Sequence, residues 1–301
     1  MGVLVGTAAG LFELTSNGVR LVDDLGSRDV TALAREGRRA WAITEGRQLW
    51  SSEGRRWTSV RSIEGWTATC LVPTNNGLLI GTEEAHLLRI TDGGCATVEA
   101  FERVDGRAHW HTPWGDPADV RSIAIGPPDA IYVNVHVGGV VRSCDHGRTW
   151  TPTLDIDCDV HEVIAPAERP GWVLVAAAVG FGISRDGASS WEFITAGLHA
   201  HYLRAVTVSG TMVLVSASTG PRSSRAAIYR RRLDGTDEFE RCRRGLPEWF
   251  EDNIDTSCLA AQGSRVIFGT ADGRIFHSDD AGATWELAAR DLPAARCVIA
   301  G

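Results

Sequence analysis

Residues 143–150 read Ser143-Cys144-Asp145-His146-Gly147-Arg148-Thr149-Trp150. The same spacing of Ser, Asp, Gly and Trp returns in Ser278-Asp279-Asp280-Ala281-Gly282-Ala283-Thr284-Trp285. A third copy, Ser184-Arg185-Asp186-Gly187-Ala188-Ser189-Ser190-Trp191, keeps Ser, Asp and Trp and moves the Gly by one place. A fourth, Ser51-Ser52-Glu53-Gly54-Arg55-Arg56-Trp57, is one residue shorter and has Glu for Asp. The residue types describe a β-hairpin turn. The carboxylate accepts backbone N–H groups, Gly supplies a backbone angle closed to bulkier residues, and Trp opens the next strand with its ring buried between sheets.

The four Trp are separated by 93, 41 and 94 residues. The middle interval is one repeat and each outer one is two, which makes the repeat about 46 residues long. That period fits one four-stranded blade of a β-propeller. The boxes then belong to blades two, four, five and seven of seven. Thr91-Asp92-Gly93-Gly94 and Thr15-Ser16-Asn17-Gly18 read as decayed turns of blades three and one. Apolar B strands, second from the channel, are expected at residues 3–6, 39–43, 78–81, 131–135, 173–177, 212–216 and 266–269, with innermost A strands at 119–125, 159–164 and 202–208. The first B strand has no A strand before it, and residues 295–301 match the register of 120–126 and can supply one. The expectation is an all-β, seven-bladed β-propeller of four-stranded antiparallel blades. It forms one domain over residues 1–301, with blade one made from 1–28 plus 295–301.

The repeat resembles the Asp-box, or bacterial neuraminidase (BNR) repeat, of sialidases, sortilin-type receptors and photosystem II assembly-factor-like propellers. The resemblance implies the fold and leaves the activity open, because the families that share it differ in function. Sialidases add an Arg triad, a Tyr/Glu nucleophile pair, an acid Asp and an N-terminal Arg-Ile-Pro, and they have six blades. This chain has only Tyr132, Tyr202 and Tyr229, and no Arg-Ile-Pro near its start. Sialidase activity is not expected.

The bulk composition excludes several classes. With 30 Lys and Arg against 38 Asp and Glu, the net charge is −8, and no basic patch with interleaved aromatics exists, so no nucleic-acid partner is expected. Seven Cys, an odd number with no CxxC pair, point to reduced thiols in a cytoplasmic protein. The start, Met1-Gly2-Val3-Leu4-Val5-Gly6, lacks the basic region of a signal peptide and the Ser or Thr of a myristoylation signal. The longest apolar run, residues 172–183, is too short to span a bilayer, and no membrane partner is expected.

In such a propeller the box turns lie on the bottom face, and function gathers in the long top loops, here residues 101–118, 155–161, 196–202, 217–227 and 246–255. Seven of the nine His fall between 109 and 201. His109 and His111 form one H-x-H pair and His199 and His201 another, while His136 ends a B strand and His161 lies in an A strand. In extended backbone, i and i+2 point the same way, so each pair can present two imidazoles together. His109, His111, His136, His161, His199 and His201 are the candidate ligands for a divalent transition metal (Zn, Cu, Fe or Ni), with Asp155, Asp157 or Asp159 completing the set. His136, His161, His201 and Tyr202 are the candidate catalytic groups.

Arg121, Arg204 and Arg296 occupy equivalent places on three A strands, and His161 takes that place in blade five. Converging guanidinium groups suit a carboxylate or phosphate, and the same groups can instead pair with Asp119, Asp159 or Asp255 and bridge blades. Trp114 and Trp249, with Trp110 and Phe250, either wall a pocket or anchor their loops. Arg121, Arg204, Arg296, Trp114, Trp249 and Asp255 make up the candidate substrate-binding set. Two functions follow. One is a small-molecule enzyme acting on an anionic substrate at a top-face site of His and Arg, metal-bound or not. The other is a non-catalytic platform for a protein or peptide. The clustered His favour the enzyme, since a platform has no need of paired imidazoles.

Overall fold

A computed structural model describes residues 2–15, 18–222 and 224–301 of the chain. Seven four-stranded antiparallel sheets follow one another as the blades of a propeller. Their B strands are Val3–Thr7, Arg39–Thr44, Gly77–Thr82, Ala130–Val135, Val173–Ala177, Met212–Ser218 and Arg265–Gly269. Each agrees with its expected segment to within two residues, because strands buried on both faces read as apolar runs. Blade one is closed by the end of the chain: Ala295–Ile299 pairs antiparallel with Val3–Thr7, Val5 opposite Val298. Ser16 and Asn17, in the decayed turn of blade one, lie outside the described residues. Among the described residues no helix is long and apolar enough to cross a membrane, and all seven Cys are free.

The box turns behave as their chemistry predicts. Asp145 Oδ1 accepts the N–H groups of Arg148 and Thr149 at 3.0 and 2.8 Å, and Ser143 Oγ accepts the N–H of Gly147 at 2.8 Å. Two consecutive residues take positive φ in each of the three Asp turns, His146 and Gly147, Gly187 and Ala188, Ala281 and Gly282, whereas the shorter Glu turn of blade two has only Gly54 there. In blade five it is Ala188 that holds the second place, with its N–H on Ser184 Oγ at 2.8 Å, so the displaced Gly leaves the hydrogen bonding intact. Trp57 and Trp285 are buried, while Trp150 and Trp191 are half-buried.

One repeated irregularity positions the site. In blades one to five the pairing of A and B strands slips at the second residue of the A strand, and in blade six just after it. The residues skipped are Arg296, Thr31, Thr69, Arg121, His161 and Arg204, the last with Ala205. A β-bulge of this kind leaves its extra residue out of the ladder and re-aims the side chain. The place that sequence comparison of the blades picks out for Arg and His is thus a bulge at the top of the inner strand, present in six of the seven blades.

Candidate functional site

The site grows from two adjacent blades. In blade four, Val120–Gly126 carries Arg121 at its bulge, and His136 follows the B strand Ala130–Val135, its N–H held by Asp119 O at 3.0 Å. In blade five, Asp159 precedes Val160–Ile164, which carries His161 at its bulge. The N–H of Val160 is donated to His136 O at 3.0 Å, and Val137 bridges His111 on one side and Asp159 on the other. These backbone ties bring His136, Asp159 and His161 together, with one ligand atom from each lying within 4.8 Å of the other two.

His161 Nε2 lies 3.2 Å and His136 Nε2 3.4 Å from Asp159 Oδ1. His161 is fully buried and its Nδ1 bonds the carbonyl of Leu203 in blade six. A carbonyl only accepts, so Nδ1 carries the proton and, in the neutral ring, Nε2 presents a lone pair to Asp159. Burial is the first cause pulling both imidazoles below their usual range, with the charge of Arg121 adding to it. Burial pushes Asp159 upward, but its attraction to the two rings when they are protonated, and to the charge of Arg121, more than offsets this and holds it low. At neutral pH the group is a carboxylate facing two neutral rings. Asp159 Oδ1 and His161 Nε2, both buried acceptors, have no hydrogen-bond partner of suitable geometry. Acceptor facing acceptor in a dry site costs free energy unless a cation lies between them.

The donor set fits such a cation. Two imidazoles and a carboxylate are a common set for first-row transition metals, and the backbone carbonyl behind His161 is the usual outer partner of a ligating ring. His136 differs, because Arg121 Nη1 reaches its Nε2 at 3.1 Å. A metal on that nitrogen requires the guanidinium to turn away, and Arg121 Nη2 already contacts Thr256 Oγ1 of the loop before blade seven at 3.4 Å.

Around this centre lie other expected residues. The Tyr202 ring is 4.7 Å from that of His161, and its hydroxyl accepts from Arg204 at 3.3 Å. Arg204 also pairs with Asp255 at 2.6 Å, so the two are partly spent on each other. Arg121 is held below its usual range by burial and then by the charge of Arg204, which places the two guanidiniums in one electrostatic field. Trp114 is 63% exposed and meets the His136 ring edge-on at 5.5 Å.

Other residues are not gathered here. Arg296 faces Asp29 at 3.4 Å. His109 and His111 are exposed, and His111 Nδ1 donates to His109 O at 2.9 Å. Both nitrogens of His199 are taken, by Tyr229 Oη at 2.9 Å and Arg225 O at 3.0 Å. His201 is exposed on the approach to its strand, and Trp249 packs against Arg241 and His199. Two residues that sequence reasoning did not single out complete the surroundings. Thr256 bonds the carbonyls of His161 and Arg204, and buried Glu162 accepts the N–H of Val206 and of Ser257 at 2.8 and 2.9 Å. A lone acid inside the apolar run Val160-His161-Glu162-Val163-Ile164 was the available signal for Glu162.

No protein-family model and no curated protein matches this chain. Among solved structures it is similar to the GH74 xyloglucanase from Xanthomonas campestris, with a TM-score of 0.69 at 15% identity over 96% of this chain and 52% of that one. It therefore spans about half the length of that enzyme. YCF48 from Cyanidioschyzon merolae matches with a TM-score of 0.64 at 14% identity over 88% of this chain and 87% of that one. A YCF48 structure bound to D1 peptide matches with a TM-score of 0.48 at 14% identity over 95% and 77%. At such identities the likeness is one of fold, the seven-bladed propeller, and that fold serves enzymes and binding proteins alike.

Proposed function

We propose that the protein is a metal-dependent enzyme whose centre is His136, Asp159 and His161, acting on a small anionic molecule that enters from the top face. The observation that carries this reading is the pair of buried, unpartnered acceptors, Asp159 Oδ1 and His161 Nε2, 3.2 Å apart. A divalent metal there supplies Lewis acidity and a water of lowered pKa. Arg121, released from His136, is the group best placed to meet a carboxylate or phosphate; Arg204 is drawn off by Asp255. Exposed Trp114 gives the approach an apolar wall. A cytoplasmic setting, in which seven free thiols persist, belongs to the same proposal.

Elemental analysis of protein purified without added metal tests the reading. We expect about one equivalent of Zn, Cu, Fe or Ni per chain, lost in His161→Ala and retained in His199→Ala. Protein that holds no metal and takes none up on titration removes the proposal. The alternative, a platform for a peptide, draws on the exposure of Trp114. It requires a partner whose binding survives His161→Ala and fails on Trp114→Ala.

A further inference from the structure

A cavity of about 710 Å³ opens on the bottom face, between blades seven, one and two and at the other end of the inner strands from the His–Asp–His group. Its origin is a missing side chain. In blade two the second residue of the outer strand Arg56–Ser62 is Trp57, which pairs with Ser52 and is buried. By the same hairpin register Val19 holds that place in blade one, opposite Leu14, and Val19 is 39% exposed. A ring that elsewhere closes the gap between sheets is absent, and the gap remains.

The lining has two characters. Its floor includes the apolar side chains of Leu4, Val22, Trp57 and Ile267, all buried in the fold. Its rim carries five arginines and one carboxylate, Glu13. Arg20 is matched by Glu13 at 2.6 Å and Arg265 by Asp279 at 2.8 Å. Arg35 bonds the carbonyls of Gly2 and Ala300, each at 3.2 Å, and shares the charge of Glu13 with Arg20. Arg38 and Arg55 are exposed and have no hydrogen-bond or ion-pair partner among the described residues. Two guanidinium groups without a partner, and five arginines against one carboxylate, thus border an apolar floor in a protein whose net charge is −8. A concave site focuses that local field, and a planar guanidinium matches carboxylate and phosphate oxygens in pairs.

We infer that this cavity is a second ligand site, which takes an organic anion: a carboxylate or phosphate joined to an apolar aryl or alkyl group. The apolar part fills the space that Trp leaves in blade one, and the charged end meets Arg38 and Arg55. The site stands apart from the top-face centre and does not depend on a metal there.

Fluorescence titration with anilinonaphthalene sulfonate, an aryl anion, provides the test. We expect saturable binding that decanoate and phenyl phosphate both displace, and that weakens as salt screens the rim. Arg38→Ala with Arg55→Ala should weaken it at least tenfold, and Val19→Trp, which fills the floor, should abolish it, with melting temperatures unchanged in both. His161→Ala should bind as the parent does. The inference is overturned if the parent shows no saturable binding or if both rim and floor variants bind equally well. It is also overturned if inorganic phosphate displaces the probe as effectively as decanoate, since the apolar floor then has no part.

Discussion

Single carboxylates carry much of the turn structure in this propeller. Asp145 is only half-buried, yet the hydroxyl and N–H of Thr149, with Ser143 and Arg148, hold its carboxyl down to about 2. Asp186 is held to about 2 in the same way, first by Ser190. In the unfolded chain an Asp titrates near about 3.9, so between those values the unfolded state binds more protons and stability falls as pH falls. The contribution is complete above about pH 4 and gone once pH drops through about 2. Asp145→Ala should therefore lower the melting temperature at neutral pH, and its gap from the parent should narrow as pH is lowered from about 5 to about 2. A gap that stays constant over that range would show that the negative charge does nothing in the turn. The same scale explains which His were legible. His136 follows a regular B strand and His161 takes on the next A strand the place that Arg121 holds, so the repeat marks both positions. The His109–His111 pair was read with the period of a strand, but His109 closes a short 3-10 turn, Arg107–His109, in which i and i+2 do not share a face.

Elements were readable in proportion to their burial. B strands are buried on both faces and stood out, whereas outer strands such as Thr151–Pro152 and Glu240–Arg241 are two residues long and carry no pattern. The A-strand bulge was not readable, because hydrophobic alternation does not reveal a residue left out of the ladder. Only the recurrence of Asp119-Val120-Arg121 as Asp159-Val160-His161 hinted at a special place. Box Trp are packing residues, and the cost of removing one follows burial. Trp285 is 3% exposed, lies edge-on to Phe268 at 5.0 Å and donates Nε1–H to Gly282 O at 3.1 Å. Trp285→Ala should cost about 3–5 kcal/mol in denaturant unfolding, against about 0.5 kcal/mol or less for Trp114→Ala. Comparable losses would mean that Trp114 packs in solution as a core residue. The closing strand is the other element with a measurable role. Deleting residues 296–301 removes buried Cys297 and Val298 and bares the edge of Val3–Thr7. Burial of Val298 alone is worth about 1.5–3 kcal/mol, before the lost ladder is counted. The truncated chain should melt far lower and aggregate, and an unchanged melting curve would remove any role in closure.

At the scale of the ring, the His–Asp–His group sits where four blades lock together. His136 comes from blade four and Asp159 and His161 from blade five, while His161 Nδ1 bonds Leu203 of blade six. Arg121 reaches Thr256 in the loop before blade seven, and Glu162 accepts N–H groups from the inner strand of blade six and from Ser257. A cation held there engages only the closed ring, because an open chain does not bring these side chains together. Binding must then stabilise the whole propeller by mass action, by about 2.7 kcal/mol when free metal is a hundred times its dissociation constant. Treatment with a chelator should lower the melting temperature by several degrees, and adding back the native metal should restore it. His161→Ala, already destabilised by the loss of its bond to Leu203, should melt at one temperature with or without chelator. His199→Ala, whose ring is engaged by Tyr229 and Arg225, should respond to chelator as the parent does. A chelator-sensitive melt that persists in His161→Ala would place the stabilising cation elsewhere in the molecule and leave the acceptors at Asp159 and His161 to be neutralised by a proton instead.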